Sequence, residues 1–284
     1  RTERATADEP TSMSPEPRID WDAVAEEAVT LLYKCSEGVG RMTFDFPAKK
    51  NALDQAARKE MERIVTEVRD DDRVRALLIA GTGGAFCAGG DINTFAGASP
   101  TAMRDRMKQQ HRVTRMLYDL EKPVIAAVDG LAVGIGTTLL LHCDLVYATN
   151  RALFTTPFVN LALAPEFGSS QILPGIVGRA VASEMLLLGA KWDAKKAEAK
   201  NLINAVLPPD GFEAAVQEIA QQIAQLAPGA VKTAKMLINL PPEDIKDRIV
   251  REGGLFAEQL RTDEFKEAAT AFMERRAPDF SKFS

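Results

Sequence analysis

Val74-Arg75-Ala76-Leu77-Leu78-Ile79-Ala80 runs directly into Gly81-Thr82-Gly83-Gly84-Ala85-Phe86-Cys87-Ala88-Gly89-Gly90-Asp91. The first part is a short, nearly continuous apolar run. It fits a strand covered on both faces, the situation of parallel strands flanked by helices. The second part is a glycine-rich turn, which lets the backbone approach a ligand and expose N–H groups. It is not a nucleotide turn: GxGxxG requires glycine where Phe86 stands, and a P-loop requires Gly-Lys-Ser/Thr.

Upstream, Thr30–Cys35 and Arg41–Phe46 read as two strands of a hairpin, with Gly38 and Gly40 in the turn. Met42, Phe44 and Phe46 alternate with Thr43 and Asp45, the period of a strand. Asp54 is placed to cap a helix over Gln55–Arg69, whose apolar residues Ala57, Met61, Ile64, Val65 and Val68 keep helical spacing. Asp70-Asp71-Asp72 then reads as a solvated turn, and no metal site is expected there or elsewhere.

Downstream, Ser99-Pro100 has the cap and first-turn proline of a helix start. Met103, Met107, Val113, Met116, Leu117 and Leu120 mark that helix's inner face, and Val124–Val128 is the next strand. A helix over Gly136–His142, strands at Asp144–Ala148 and Ala152–Phe154, helices over Ala180–Leu188 and Ala194–Lys200 and a strand over Ile203–Leu207 follow. Strand and helix alternate, which predicts an α/β architecture. Beyond residue 210 the pattern is helical only, over about Phe212–Leu226, Ala230–Ile238, Asp244–Leu260 and Asp263–Arg275. The reading divides the chain into a flexible arm (1–20), an α/β core (21–210) and a helical C-terminal region (211–284).

The 284 residues are 46% hydrophobic with a formal charge of −5, which gives no reason to expect nucleic acid or an anionic membrane as partner. Three cysteines without CxxC spacing predict neither disulfides nor a zinc site, and a cytoplasmic setting is expected. His142 reads as a satisfied core residue and His111 as a solvated one.

Chemistry points to Val133–Ser170. Gly134-Ile135-Gly136 follows a strand and opens a helix, where first-turn N–H groups lack intrahelical acceptors and the dipole favours negative charge. The Cys87-Ala88-Gly89 turn offers a second N–H. Two such donors aimed at one oxygen make an oxyanion hole. Glu166 is the lone carboxylate of the stretch.

Ala85-Phe86-Cys87-Ala88-Gly89-Gly90-Asp91-Ile92 resembles the first oxyanion segment of the crotonase (enoyl-CoA hydratase/isomerase) superfamily. Val128-Asp129-Gly130 through Val133-Gly134-Ile135-Gly136, with Cys143-Asp144 after it, resembles the second. Phe154-Thr155-Thr156-Pro157-Phe158, Pro165-Glu166-Phe167-Gly168-Ser169-Ser170 and Ala271–Arg276 continue the likeness, which covers about residues 28–283. The resemblance implies a spiral of ββα units, a helical trimerisation region, a homotrimer or hexamer, and acyl-CoA thioesters as ligands, with coenzyme A part of the substrate and no separate cofactor.

Carried over by position, the N–H groups of Ala88 and Ile135 hold the thioester oxygen, flanked by Gly134. Gly89, Asp91 and Ile92 line the adenine site. Lys49, Lys50 and Lys282, the last from another subunit if need be, are candidates for the CoA phosphates. Hydratases of the family carry two glutamates; the corresponding positions here are Thr138 and Phe158. The remaining Glu166 stands where Δ3,Δ2-enoyl-CoA isomerases carry their single base, with Leu161, Leu163 and Phe167 as its apolar pocket and Phe158 and Leu161 as substrate-binding residues. The resemblance therefore implies isomerisation. Hydration, acyl-CoA hydrolysis and acyl-CoA binding without turnover are the alternatives.

Overall fold

The computed structural model describes residues 31–91 and 99–283. The chain opens on a hairpin of β1 (Leu31–Ser36) and β2 (Val39–Phe44). The hairpin turns through two residues, Glu37 and Gly38, both at positive φ (53° and 77°). That is the requirement of the two-residue turn whose twist matches the flanking strands. Gly40, expected in the turn, lies instead in β2 under the Tyr33 ring, where a Cβ would sit 2.9 Å from the phenolic oxygen.

Helix α1 (Gln55–Asp70) is capped by Asp54, which accepts the Ala57 N–H at 2.7 Å. The five apolar residues read from the sequence are its five buried ones. Strand β3 (Ala76–Gly81) follows, then the three-residue β4 (Ala85–Cys87). Helix α2 (Pro100–Tyr118) starts at its Ser99 cap. Strands β5 (Val124–Val128) and β6 (Leu131–Val133) lead to α3 (Ile135–Thr138), which tightens into a 3-10 turn at Leu139–His142. The single helix expected over Gly136–His142 is thus two short pieces of different pitch.

Strands β7 (Leu145–Thr149) and β8 (Leu153–Thr155), helices α4 (Ser169–Val177) and α5 (Arg179–Leu188), strand β9 (Trp192–Asp193), helix α6 (Ala194–Ala199) and strand β10 (Ala205–Leu207) complete the core. Helices α7 (Phe212–Ala224), α8 (Pro228–Asn239), α9 (Ile245–Gln259) and α10 (Asp263–Glu274) follow.

The strands form two sheets. The larger has the order β1-β2-β3-β5-β7-β10 and is parallel apart from the β1–β2 hairpin; the smaller has the order β4-β6-β8-β9. Each pair of consecutive strands sends one to each sheet, β3 and β4, then β5 and β6, then β7 and β8. A helical segment returns the chain, which is the ββα spiral implied by the resemblance.

Strand β3 shows why its sequence reads as continuous apolar. Leu77 and Ile79 face the main core with Met42 and Phe44 from β2 and Ile64 from α1. Ala76, Leu78 and Ala80 face the opposite side, where Phe212, Val216, Ala220 and Ala224 of α7 cover them. Helix α7 therefore shares a core with the sheet although it lies beyond residue 210. Burying each leucine or isoleucine there contributes about 1.5–3 kcal/mol. Helices α9 and α10 are different: Phe256, Phe272 and Met273 are exposed. Among the described residues no helix is long and apolar enough to cross a membrane.

Asn51 joins the β2 exit loop to the turn between β3 and β4. It is fully buried at φ 59°. Its Oδ1 accepts the Phe46 N–H at 2.7 Å, and its Nδ2 donates to the carbonyls of Thr82 (3.0 Å) and Ala85 (2.7 Å). At the other end of the sheet, Arg75 Nη2 donates to the carbonyls of Phe280, Ser281 and Phe283, tying the C-terminal tail to the start of β3.

Candidate active site

The two glycine turns leave the ends of adjacent parallel strands, since β4 pairs with β6 with Cys87 opposite Ala132. They touch. A Cβ on Gly136 would lie 2.3 Å from the Cys87 carbonyl oxygen, and one on Gly89 3.1 Å from that of Val133. Only glycine at 136 lets the helix start sit so close to β4. Gly136→Ala is expected to destabilise the fold by about 1–3 kcal/mol through overpacking, read as a lower urea midpoint; an unchanged midpoint would show that the contact yields freely.

The donors expected of the two turns are not equivalent here. Ile135 is the first residue of α3, capped by Gly134 at φ 54°, and its N–H meets no acceptor among the described residues. The Ala88 N–H is already engaged, donating to the Lys50 carbonyl at 3.0 Å. The cause is a strip of backbone pairing: Leu53 N–H donates to Gly89 O at 2.7 Å and Asp91 N–H to Leu53 O at 3.0 Å, so Lys50–Leu53 runs alongside Ala88–Asp91. The second N–H expected of the Cys87-Ala88-Gly89 turn is thus already paired with the Lys50 carbonyl.

Glu166 enters from the other side. Phe167 (φ 55°) and Gly168 (φ 68°) both lie in the left-handed region, which turns the chain sharply into α4 just after the glutamate. His142 Nε2 lies 2.8 Å from the Phe167 carbonyl. A carbonyl only accepts, so Nε2 carries the hydrogen. Burial holds this imidazole below its ordinary pKa, hence neutral, and it pins the turn rather than titrating at the site. The reading of His142 as a satisfied residue holds for one nitrogen only: Nε2 has the Phe167 carbonyl, while the buried Nδ1 has no hydrogen-bond partner among the described residues.

The Glu166 carboxylate is half-buried and both oxygens accept hydrogen bonds. Thr138 Oγ1 donates to Oε1 at 2.5 Å, and Gln110 Nε2 donates to Oε2 at 2.5 Å. Arg58 Nη1 in turn donates to Gln110 Oε1 at 3.0 Å. Burial pushes the Glu166 pKa above its ordinary value, against the Thr138 hydrogen bond, the Arg58 charge and the Gln110 hydrogen bond, all of which favour the ionised form. The nearby Cys87 thiol is pushed up to about 12 by burial and stays neutral.

Sequence reasoning missed Arg58 and Gln110, and it saw in Thr138 only a missing glutamate. A signal for Gln110 was present. It stands three residues after Met107 and three before Val113, on the apolar stripe of α2, and it is buried. A polar residue on a core stripe needs a partner inside.

The remaining candidates divide. Lys49 and Asp91 come together, Nζ to Oδ2 at 3.5 Å, with Lys49 also 5.8 Å from the Phe46 ring centroid. Lys50 contributes its backbone carbonyl as described. Ile92 lies outside the described residues. Phe158 is buried in the main core, and its carbonyl accepts the N–H groups of Leu161 (3.0 Å) and Leu163 (2.8 Å). Those two side chains, expected to enclose Glu166, are instead 48% and 54% exposed, because the loop turns them outward. Phe167 is buried, edge-on to His142. Within one chain Lys282 is not brought to the site. It lies 3.9 Å from Glu267, with the tail that Arg75 holds at the start of β3, the sheet end away from the glycine turns.

Residues 34–282 match the enoyl-CoA hydratase/isomerase family. The short-chain-enoyl-CoA hydratase of Clostridium acetobutylicum is 35% identical over 240 residues, covering 84% of this chain and 92% of that one. Human enoyl-CoA delta isomerase 2 is 32% identical over 267 residues, covering 92% of this chain and 67% of that one. Among solved structures, an enoyl-CoA hydratase from Bacillus anthracis superposes with a TM-score of 0.83 at 29% identity, covering 90% of this chain and 99% of that one.

Proposed function

The chain belongs to the enoyl-CoA hydratase/isomerase family, and from that premise we propose that it moves the double bond of a 3-enoyl-CoA to C2 with Glu166 as its single acid/base. The pairing of Glu166 with Thr138 carries this reading. The position at which the family's hydratases carry their first glutamate holds a hydroxyl here, and that hydroxyl serves the one carboxylate the site retains. The second hydratase position, Phe158, is packed into the core and offers no acid.

One base is enough for a 1,3-proton shift. Glu166 takes the proton from C2, and the C–H electron pair enters a dienolate whose charge rests on the thioester oxygen. That oxygen is held by the Ile135 N–H and, once Lys50 shares it, by the Ala88 N–H. Each such donor is worth about 3–4 kcal/mol in the transition state. The same carboxyl then gives its proton to C4, leaving the double bond between C2 and C3. No water is added, and coenzyme A is present only as part of the substrate.

Lys49 and Lys50 stand beside the first turn as partners for the CoA phosphates. The reading places the enzyme in the cytoplasm as a homotrimer or hexamer. The exposed apolar residues of α9 and α10 would meet neighbouring chains, and Lys282 would reach a neighbour's ligand. Relatives named hydratases make water addition the second reading.

A product assay separates the two. With trans-3-hexenoyl-CoA and trans-2-hexenoyl-CoA supplied in turn, conversion of the first to the second is expected, with little 3-hydroxyacyl product from either. Water addition outpacing isomerisation would replace the first reading with the second. Binding without turnover would leave an acyl-CoA-binding protein.

A further inference from the structure

We infer that Glu166 carries the transferred proton on one oxygen only, Oε1, the one that faces Thr138, and that Gln110 and Arg58 are the positioning residues that enforce this choice. The inference deepens the isomerase reading and rests on it for the reaction, though not for the state of the carboxyl itself.

A guanidinium only donates. Arg58 Nη1, 3.0 Å from Gln110 Oε1, therefore fixes which end of that amide faces which neighbour. The NH2 end is turned to Glu166 Oε2, and an amide N–H cannot become an acceptor. A hydroxyl can be either. Thr138 Oγ1 donates to Oε1 while the carboxylate is ionised and can receive once Oε1 bears hydrogen, by rotation about its own C–O bond.

The two oxygens are thus unequal as seats for the proton. On Oε2 it would set an O–H, a poor acceptor, against a donor that cannot turn away. On Oε1 it leaves Oε2 as the carbonyl oxygen that the Gln110 N–H requires. In the cycle the C2–H bond breaks as the Oε1–H bond forms. The Oε1–H bond then breaks as C4–H forms, and Oε1 again accepts from Thr138. Gln110 holds still throughout.

Among the described residues, Arg58 from α1, itself beside Asp54, and the neutral Cys87 thiol from β4 are the titratable and charged groups around the carboxyl. His142 faces the Phe167 carbonyl rather than the carboxyl.

The carboxyl stretch of protonated Glu166, identified by its loss in Glu166→Gln, reports the pH midpoint of Glu166 by infrared difference spectroscopy without substrate. Gln110→Leu is expected to raise that midpoint by at least about one pH unit, since a fixed donor to the ionised form is lost. Gln110→Glu, of the same shape, should raise it at least as far by placing a second carboxylate against Oε2. Thr138→Val should raise it by less than Gln110→Leu does, because the hydroxyl that donates to the ionised carboxylate can also receive from the protonated one.

In isomerisation of trans-3-hexenoyl-CoA, Thr138→Val should lower kcat at least tenfold with KM within about twofold, and Thr138→Ser should restore it. A Thr138→Val midpoint shift as large as that of Gln110→Leu would overturn the inference, as would wild-type kcat in Thr138→Val. If wild type does not isomerise, the isomerase reading fails and the infrared midpoints alone decide where the proton sits.

Discussion

Glu166→Gln is expected to lower kcat for isomerisation of trans-3-hexenoyl-CoA by at least about a thousandfold while leaving substrate affinity within a few-fold. General acid–base catalysis contributes about 10²–10⁴ in rate, and on the proposed one-base mechanism no second group would take over. The variant should fold, because its polar demands can be met. Its amide oxygen can accept from Gln110, whose N–H is fixed, while its NH2 can donate to Thr138, whose hydroxyl can turn to receive.

The same argument gives a pH signature. The base must be ionised, and burial raises its folded pKa. Wild-type kcat/KM should therefore fall as pH drops through a midpoint above the ordinary glutamate value, and the residual activity of Glu166→Gln should lack that limb. Residual activity above about a tenth of wild type, with the limb intact, would show that the proton is taken by another group.

Asn51→Ala is expected to be the most damaging substitution for the fold that touches no charged group. Asn51 satisfies three backbone groups: the buried Phe46 N–H and Ala85 carbonyl and the part-buried Thr82 carbonyl. Each buried group left unpaired costs about 1–3 kcal/mol. The left-handed backbone at φ 59° adds a cost for alanine, since asparagine tolerates that region better. The sum is about 4 kcal/mol or more before relaxation, comparable to a large share of the 5–15 kcal/mol that stabilises a typical domain.

Asn51→Gly should recover only the backbone part. Chemical denaturation of the three proteins measures both terms, and a loss below about 1 kcal/mol for alanine would mean that solvent enters the loop and satisfies the freed groups. The loop also carries the Lys50 carbonyl, so its loosening should alter how tightly the Ala88 N–H is held.

How much of this was legible in the sequence depended on length scale. The long helices α1 and α2 announced themselves through caps and apolar spacing, and β5 through a run of five apolar residues that are all buried. Strands β4 and β6, three residues each, showed no period, so of the second sheet only β8 was read, at Ala152–Phe154. Glu166 and the Gly134–Gly136 turn could be found because glycine and a lone carboxylate stand out locally. The Arg58–Gln110–Glu166 chain spans more than a hundred residues of sequence, and nothing local links its members.

Ala88 shows the opposite limit. Whether its N–H is free depends on what lies beside it, and Lys50 lies beside it only through the pairing of Leu53 with Gly89 and Asp91. Leu161 and Leu163 were expected inside because they are apolar. Instead both are about half exposed, Leu161 closing the 3-10 turn Val159–Leu161 and Leu163 two residues past it.

The strand order of the larger sheet, β1-β2-β3-β5-β7-β10, rises monotonically with position in the chain. No strand has to be inserted between two made earlier. As the polypeptide leaves the ribosome, each new strand finds its partner already in place at the growing edge, so the sheet can be laid down in the order of translation. The cover of its far face comes late, because Val216, Ala220 and Ala224 belong to α7. Until α7 emerges, Ala76, Leu78 and Ile125 stay open to solvent, and that interval is when the nascent chain is most exposed to sticking to its neighbours.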